Sequence, residues 1–309
     1  MPYHFDHDDG EITRRCFLFC GSVPVVAGVA VVAAEAAAHQ AAPQGDPKIV
    51  AEKQKALRDP TIATEVVKFA NGADEIQGFL ARPKAAERSP AVVVVPGDFG
   101  LTEYTRITAA NLAQAGFVAL GVDVFSRASQ IKNLEEARRV YFDVMTDALT
   151  LRDLQAAIDY LKKQTYVRDS GVGLLGFCVG GRYALLLAAL SRDVAATAVY
   201  YGPLQLIEGK PDVTVAKPLK VPGHEMSPLD FALWIKSPVH GHYARKDSTI
   251  PLADVERFER VLRERRADAE MFVYDTDSHF HSYHQSTYDP PAAKLSWERT
   301  VAFFRKNVK

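Results

Sequence analysis

Gly176-Phe177-Cys178-Val179-Gly180-Gly181 is the stretch on which the reading of this 309-residue chain turns. Before it, Val172-Gly173-Leu174-Leu175 reads as a short buried strand. After it, residues 182–190 (RYALLLAAL) read as a helix packed against apolar neighbours. A strand that turns sharply into a helix leaves the residue at the bend exposed at the carboxyl edge of the sheet, with its backbone strained. Glycines two before and two and three after Cys178 let strand and helix pass closely, where a Cβ would clash. The pattern is that of a nucleophile elbow with sulfur at the bend. A cysteine in an apolar stretch is more often an inert buried thiol, so the reading needs support from elsewhere in the chain.

Outward from the elbow the pattern alternates between strands and helices. Residues 64–69 and 75–82 are strand-like runs joined around Asn71-Gly72, a hairpin signal. Residues 91–95 (AVVVV) have the continuous β-branched character of a strand buried on both faces, and they run into the loop Pro96-Gly97-Asp98-Phe99-Gly100. Periodicity predicts a helix over 103–115, a strand over 117–122, a helical stretch over 134–163 divided in two, and a strand over 194–201. Strands over 239–243 and 270–274, with helices over 253–266 and 292–306, complete the series. The expected fold is α/β: a mostly parallel central sheet covered by helices on both faces, with an N-terminal β-hairpin. Ligands in such sheets bind beyond the carboxyl ends of the strands. Residues 202–237 break the alternation; they are proline-rich, and Phe231 and Trp234 suit them to a packed lid or an oligomer contact.

Length and composition fit one domain of this kind over residues 61–309. The net charge is −1 with both signs interspersed, which gives no footing for nucleic acid or an anionic membrane. Residues 1–38 have the form of a twin-arginine export signal: Thr13-Arg14-Arg15-Cys16-Phe17-Leu18, then mostly apolar residues, then Ala36-Ala37-Ala38 as a cleavage site. Periplasmic or secreted location and the export machinery as a partner are therefore expected. Residues 16–34 are just long enough for an uncleaved membrane anchor, but Pro24, the alanine content and Glu35 favour cleavage. Residues 39–60 read as a solvated linker. Of the three cysteines, Cys16 and Cys20 fall in the signal, which leaves Cys178 with no intramolecular disulfide partner.

A thiol attacks a carbonyl only as thiolate, so it needs a base or a positive charge nearby. A histidine supplies this, and a carboxylate fixes the histidine's tautomer. In elbow-type folds the chain order is nucleophile, acid, histidine. Here Asp247 follows the strand His240-Gly241-His242-Tyr243, and His279 follows the strand Met271-Phe272-Val273-Tyr274, in that order and at the same sheet edge. Backbone N–H groups of Val179 and of Asp98 in the early loop are the candidates for holding an oxyanion. No cofactor or metal is called for.

Phe-Cys-Val-Gly-Gly-Arg, Asp247 before Ser-Thr-Ile-Pro, and a His279 loop leading to Trp297-Glu298-Arg299-Thr300 together resemble the dienelactone hydrolase family. The resemblance runs from about residue 64 to the C-terminus. It implies a cysteine-dependent α/β-hydrolase fold, a Cys178–Asp247–His279 triad and acylation–deacylation of a small-molecule ester or lactone. The family's early loop commonly carries His-Glu, where this chain has Pro96-Gly97 with Asp98 one place later. Arg127 matches an arginine that binds the substrate carboxylate, whereas the second such arginine is replaced by Tyr283. Phe99, Tyr283 and Trp234 join Arg127 as candidate substrate contacts. The family's usual His-x-Phe contrasts with His279-Phe280-His281 here, which leaves His281 as a second candidate base behind His279.

Two rival readings compete. His240-x-His242 and His279-x-His281 put histidine pairs on one face of an extended chain, a spacing that a zinc-dependent hydrolase can use. A non-catalytic exported binding protein using the same cleft is the other.

Overall fold

Every residue of Ala91–Val95 and Val172–Phe177 is buried. Successive strand residues point to opposite faces, so both faces of the sheet must be covered there. The computed structural model describes residues 45–97, 100–127, 146–205, 207–208, 217–218 and 223–309. The strands in chain order are β1 (Ile62–Asn71), β2 (Asp74–Pro83), β3 (Ala91–Val95), β4 (Val118–Val122) and β5 (Val172–Phe177). They continue as β6 (Val194–Tyr200), β7 (Ile207–Glu208), β8 (Lys217–Pro218), β9 (Val239–Ala244) and β10 (Ala269–Tyr274). The helices are α1 (Pro47–Gln54), α2 (Glu103–Gln114), α3 (Asp147–Lys162), α4 (Val179–Leu190), α5 (Pro228–Phe231), α6 (Leu252–Glu264) and α7 (Pro290–Asn307).

Eight strands form the main sheet in the order β1-β2-β4-β3-β5-β6-β9-β10. From β4 to β10 all neighbours pair in parallel, whereas β1 with β2 and β2 with β4 are antiparallel. The β1–β2 ribbon closes at Asn71↔Asp74, with Gly72 at φ 62°. After β4 the chain returns past β3 to β5, so winding reverses between those two strands. The crevice outside their carboxyl ends is where an open α/β sheet accepts a ligand. Helix α4 packs on β5 and β6, α2 on β2 and β4, and α7 brings Phe304 and Val308 against Gly173 of β5.

Two stretches differ from what composition predicts. Within the expected linker, residues 47–54 are helical and Lys55–Arg58 form a 3-10 turn. Asp46 accepts from Lys48 N, a proline opens the helix, and Gln54 Nε2 donates to Glu103 of α2 at 2.9 Å. None of the residues in α1 is buried, so no apolar stripe marked it in the sequence. In the irregular 202–237 stretch the described residues include the two-residue β7–β8 ladder, α5, and a 3-10 turn at Ala232–Trp234. Leu229 and Ile235 are buried there, so its end is packed. The expected signal at 1–38 and the first part of the expected 134–163 helix lie outside the described residues.

The packed end of the insertion is held by a buried charge pair. Arg182 of α4, with no exposed surface, donates to both carboxylate oxygens of Asp147 at the start of α3, at 2.7 and 2.9 Å. Asp147 Oδ2 also accepts from Met226 N at 2.9 Å. Removing one partner leaves an uncompensated buried charge, a loss of about 3–5 kcal/mol. Asp147→Ala is therefore expected to lower the urea-unfolding free energy by that order, and replacing both Asp147 and Arg182 with apolar residues to recover most of it. Equal stability of Asp147→Ala and the parent contradicts this.

Candidate active site

Cys178 sits at φ 51° and ψ −126°, in the left-handed half of backbone space, where a side chain is rarely tolerated. Such strain costs on the order of 1–3 kcal/mol and persists only where the surroundings impose it. Here they do. Cys178 N donates to Tyr200 O of β6 at 3.0 Å, and Cys178 O accepts from Gly181 N at 2.8 Å. A Cβ on Gly176 would lie 2.5 Å from Gly180 O, and one on Gly180 would lie 2.2 Å from Pro96 O. Strand, helix and early loop are in backbone contact around the thiol, which stays half-buried rather than sealed.

The positive end of α4 begins at Val179, directly after the sulfur. Its N–H is at the first helical position and has no acceptor within the helix. The helix dipole there favours a thiolate over a thiol. Gly97 borders Cys178 from the β3 side, since a Cβ added to it would meet Cys178 Cβ at 3.5 Å. Asp98 and Phe99, the next two residues of that loop, lie outside the described residues.

Asp247 is in the loop after β9. Its Oδ1 accepts from Thr249 N at 2.8 Å, Thr249 Oγ1 at 2.7 Å and Ile250 N at 3.1 Å. Its Oδ2 is buried and takes no hydrogen bond among the described residues. The loop is tied to the one carrying His279 by Arg245 N to Tyr274 O at 2.8 Å and Lys246 N to Thr276 O at 3.1 Å. His279 itself has φ 60°, with Ser278 Oγ 2.8 Å from its Nδ1. Its ring packs on Tyr201 at 4.8 Å between centroids. Tyr201, at φ 40°, follows the residue whose carbonyl receives Cys178 N. Cys178, Asp247 and His279 thus follow β5, β9 and β10 at the carboxyl edge, and of the four non-glycine residues with positive φ among the described residues, Cys178, Tyr201 and His279 cluster there. Ser278 and Tyr201 are the neighbours that sequence reasoning missed. A Tyr-Tyr-Gly at the end of a strand was the only available signal for Tyr201, and it looks like core.

The other candidates separate. Arg127 is occupied by Asp74 and Asp153: Nε reaches Asp74 at 2.7 Å, Nη2 reaches Asp153 at 2.7 Å, and Nη1 pairs with the second Asp153 oxygen. Its hydrogen bonds to Asp153 first, opposed by burial, raise its pKa further. Through Asp74 and Asp153 it joins the β1–β2 hairpin to α3. Tyr283 is buried against Tyr104 at 5.5 Å, and Trp234 is 44% exposed and packs on Phe231 at 5.2 Å.

The histidine-rich strands form no metal cluster. His242 is fully buried, with Nδ1 bonded to Tyr274 Oη at 2.9 Å and Nε2 to Thr300 Oγ1 at 3.0 Å, so both ring nitrogens are taken. His240 stacks on Phe303 at 3.9 Å. His281 is packed among Phe177, Tyr200 and Trp297, and its Nδ1 shares a hydrogen bond with Tyr104 Oη at 2.5 Å. Among the described residues no group of three or more His, Cys, Asp or Glu is placed to hold an ion. The zinc reading gives way to a structural one.

The sequence model of the dienelactone hydrolase family matches residues 76–308. A Bradyrhizobium protein named as a 2-oxo-3-(5-oxofuran-2-ylidene)propanoate lactonase is 34% identical over 248 residues, covering 79% of this chain and 95% of its own. A Synechocystis protein named as a carboxymethylenebutenolidase is 29% identical over 257 residues, covering 80% of this chain and 98% of its own. The crystal structure of a Klebsiella pneumoniae protein named as a dienelactone hydrolase superposes with a TM-score of 0.70 at 27% identity, over 79% of this chain and 99% of that one.

Burial holds His281 neutral, pulling its pKa from the ordinary 6.5 down to about 3. Burial also pulls His240 down to about 4 and lowers His242 well below 6.5. In the unfolded chain each binds a proton near pH 6.5, so the folded state loses stability as pH falls from about 6.5 toward 3. The parent urea midpoint is expected to drop between pH 7 and pH 4.5, and the drop to be smaller in His281→Asn. Parallel pH profiles for parent and variant contradict this.

Proposed function

Because this chain belongs to the dienelactone hydrolase family and is an ester hydrolase of that family, we propose that it cleaves an ester or lactone through Cys178, His279 and Asp247. The observation that carries the reading is the strained, half-buried thiol at the start of α4. In this mechanism His279 takes the thiol proton and the sulfur attacks the carbonyl carbon. The Val179 N–H and the N–H of Asp98 hold the resulting oxyanion. The tetrahedral adduct collapses to a thioester as the C–O bond breaks, and His279 returns the proton to the departing alkoxide. In a lactone that alkoxide stays tethered to the acyl group. Water, deprotonated by His279, then attacks the thioester and the thiol leaves with the proton.

His279 serves better as the base than His281. The ring of His281 lies under Phe177 and Tyr200, and its depressed pKa makes it a poor proton acceptor. Asp247, anchored on one oxygen with the other unclaimed among the described residues, is suited to orient the imidazole. The substrate is proposed to lack the tightly held carboxylate of a dienelactone, because Arg127 is paired with acids and Tyr283 stands at the second anionic position. The non-catalytic binding reading gains no specific observation.

We also propose export through the twin-arginine route, on the strength of Arg14-Arg15 and the alanine run at 36–38. Arg14→Lys with Arg15→Lys is expected to leave the full-length precursor in the cytoplasm, while the parent is processed and periplasmic. Unchanged processing contradicts it. For the catalytic reading, Cys178→Ala is expected to lower kcat/KM on aryl esters and lactones by about 10³-fold or more with an unchanged circular dichroism spectrum. Parent and variant with equal rates, or a parent inactivated by chelation, contradict it.

A further inference from the structure

Tyr201 adjoins Cys178 through the backbone and His279 through its ring. The carbonyl of the preceding Tyr200 receives Cys178 N at 3.0 Å, and Tyr201 N donates to His242 O of β9 at 2.8 Å. Between those two bonds the backbone turns to φ 40°. A residue with a Cβ persists in that region only where its surroundings impose it. The Tyr201 ring, 3% exposed, lies against the His279 imidazole with centroids 4.8 Å apart and planes at 45°. Phe280 meets the same tyrosine ring edge-on at 5.9 Å. Ser278 Oγ stands 2.8 Å from His279 Nδ1, so the imidazole is held at one nitrogen and along one face.

The Tyr201 ring is itself tied down. Its side chain hydrogen-bonds Tyr104, near the start of α2, and the Tyr104 hydroxyl shares a hydrogen bond with His281 Nδ1 at 2.5 Å. His281 lies two residues after His279 on the same loop. The contacts therefore close on themselves: His279 to Tyr201, Tyr201 to Tyr104, Tyr104 to His281, and back along the chain to His279. Burial first, then Tyr201, raises the Tyr104 pKa well above the ordinary 10, and burial lowers that of His281 to about 3. Both links of the circuit stay uncharged near neutral pH. Hydrogen-bonded side chains joined in this way act as a unit.

We propose that Tyr201 is a positioning residue for hydrolysis: its ring seats the His279 imidazole for proton transfer with Cys178, and Tyr104 with His281 holds that ring through its hydroxyl. The proposal rests on the Cys178–His279 reading given above, and it gives a role to the second histidine of the loop, which the hydrolytic steps leave unused. An imidazole that rocks out of line slows proton transfer without loosening the substrate, so the effect belongs in kcat rather than KM.

Aryl-ester kinetics, Tm and the pH midpoint of Cys178 alkylation by iodoacetamide, measured on the full chain for the parent, Tyr201→Phe, Tyr104→Phe and the double variant, test it. Tyr201→Phe keeps the ring and removes the hydroxyl; it is expected to lower kcat about tenfold with KM within about twofold. The alkylation midpoint is expected to move toward the ordinary cysteine value of about 8.5. Tyr104→Phe, which leaves Tyr201 whole, is expected to do the same. Because both substitutions cut one chain, the double variant is expected to lose no more than either single variant, whereas independent packing losses multiply. With Cys178→Ala inactive, parent-like kcat and midpoint in both single variants, a loss confined to Tm or KM, or multiplying losses in the double variant each overturns the proposal. Hydrolysis retained in Cys178→Ala overturns the triad reading itself, and this proposal with it.

Discussion

The backbone of Cys178 is forced into a conformation that a side-chain-bearing residue avoids, and the geometry of the sheet's carboxyl edge follows from that. A non-glycine residue at φ 51° is held there by the Tyr200 carbonyl above it and the first turn of α4 below. This is feasible because Gly176 and Gly180 let strand, helix and the Pro96 carbonyl come closer than any Cβ allows. The sulfur is thereby pushed out of the sheet at the point where winding reverses between β3 and β5. The helix dipole, the early loop and the neighbouring strand ends all converge on that point. Strain stored at the bend is offset by the burial of β3, β5 and α4, whose side chains make up much of the core.

Around this edge, aromatic and histidine side chains divide into two populations. His240, His242 and His281 are pressed against Phe303, Tyr274 and Tyr104, and burial keeps them neutral. They act as aromatic core, within which His242 and His281 also hydrogen-bond. His242 in particular links Tyr274 of β10 through Thr300 of α7 to Tyr200 of β6, fixing the strand ends on which Asp247 and His279 are mounted. His279 alone among the neighbouring histidines combines a loop position with positive φ and a serine hydroxyl on Nδ1. A histidine count cannot separate these roles; burial and partners can.

Much of the scaffold was legible in the sequence because buried parallel strands and amphipathic helices write themselves as runs and periods. AVVVV is β3, and the elbow glycines mark the close contacts that the structure shows. What stayed hidden depends on partners far away in the chain. Nothing in the spacing of Arg127 shows that Asp74 and Asp153 pair with it. The helix at 47–54 buries none of its residues and so carries no apolar period, although it docks on α2. Ser278 beside His279 and the burial of the Tyr283 hydroxyl are likewise facts of packing, invisible to spacing.

The proposed cysteine chemistry requires Cys178 to be a poised thiolate rather than a thiol that happens to lie at a bend. The rate of iodoacetamide alkylation of Cys178, followed by intact mass across pH 5–9, measures this directly. The account predicts a titration midpoint well below the ordinary cysteine value of about 8.5, shifting back toward it in His279→Ala. A midpoint at the ordinary value in the parent, insensitive to His279, contradicts it.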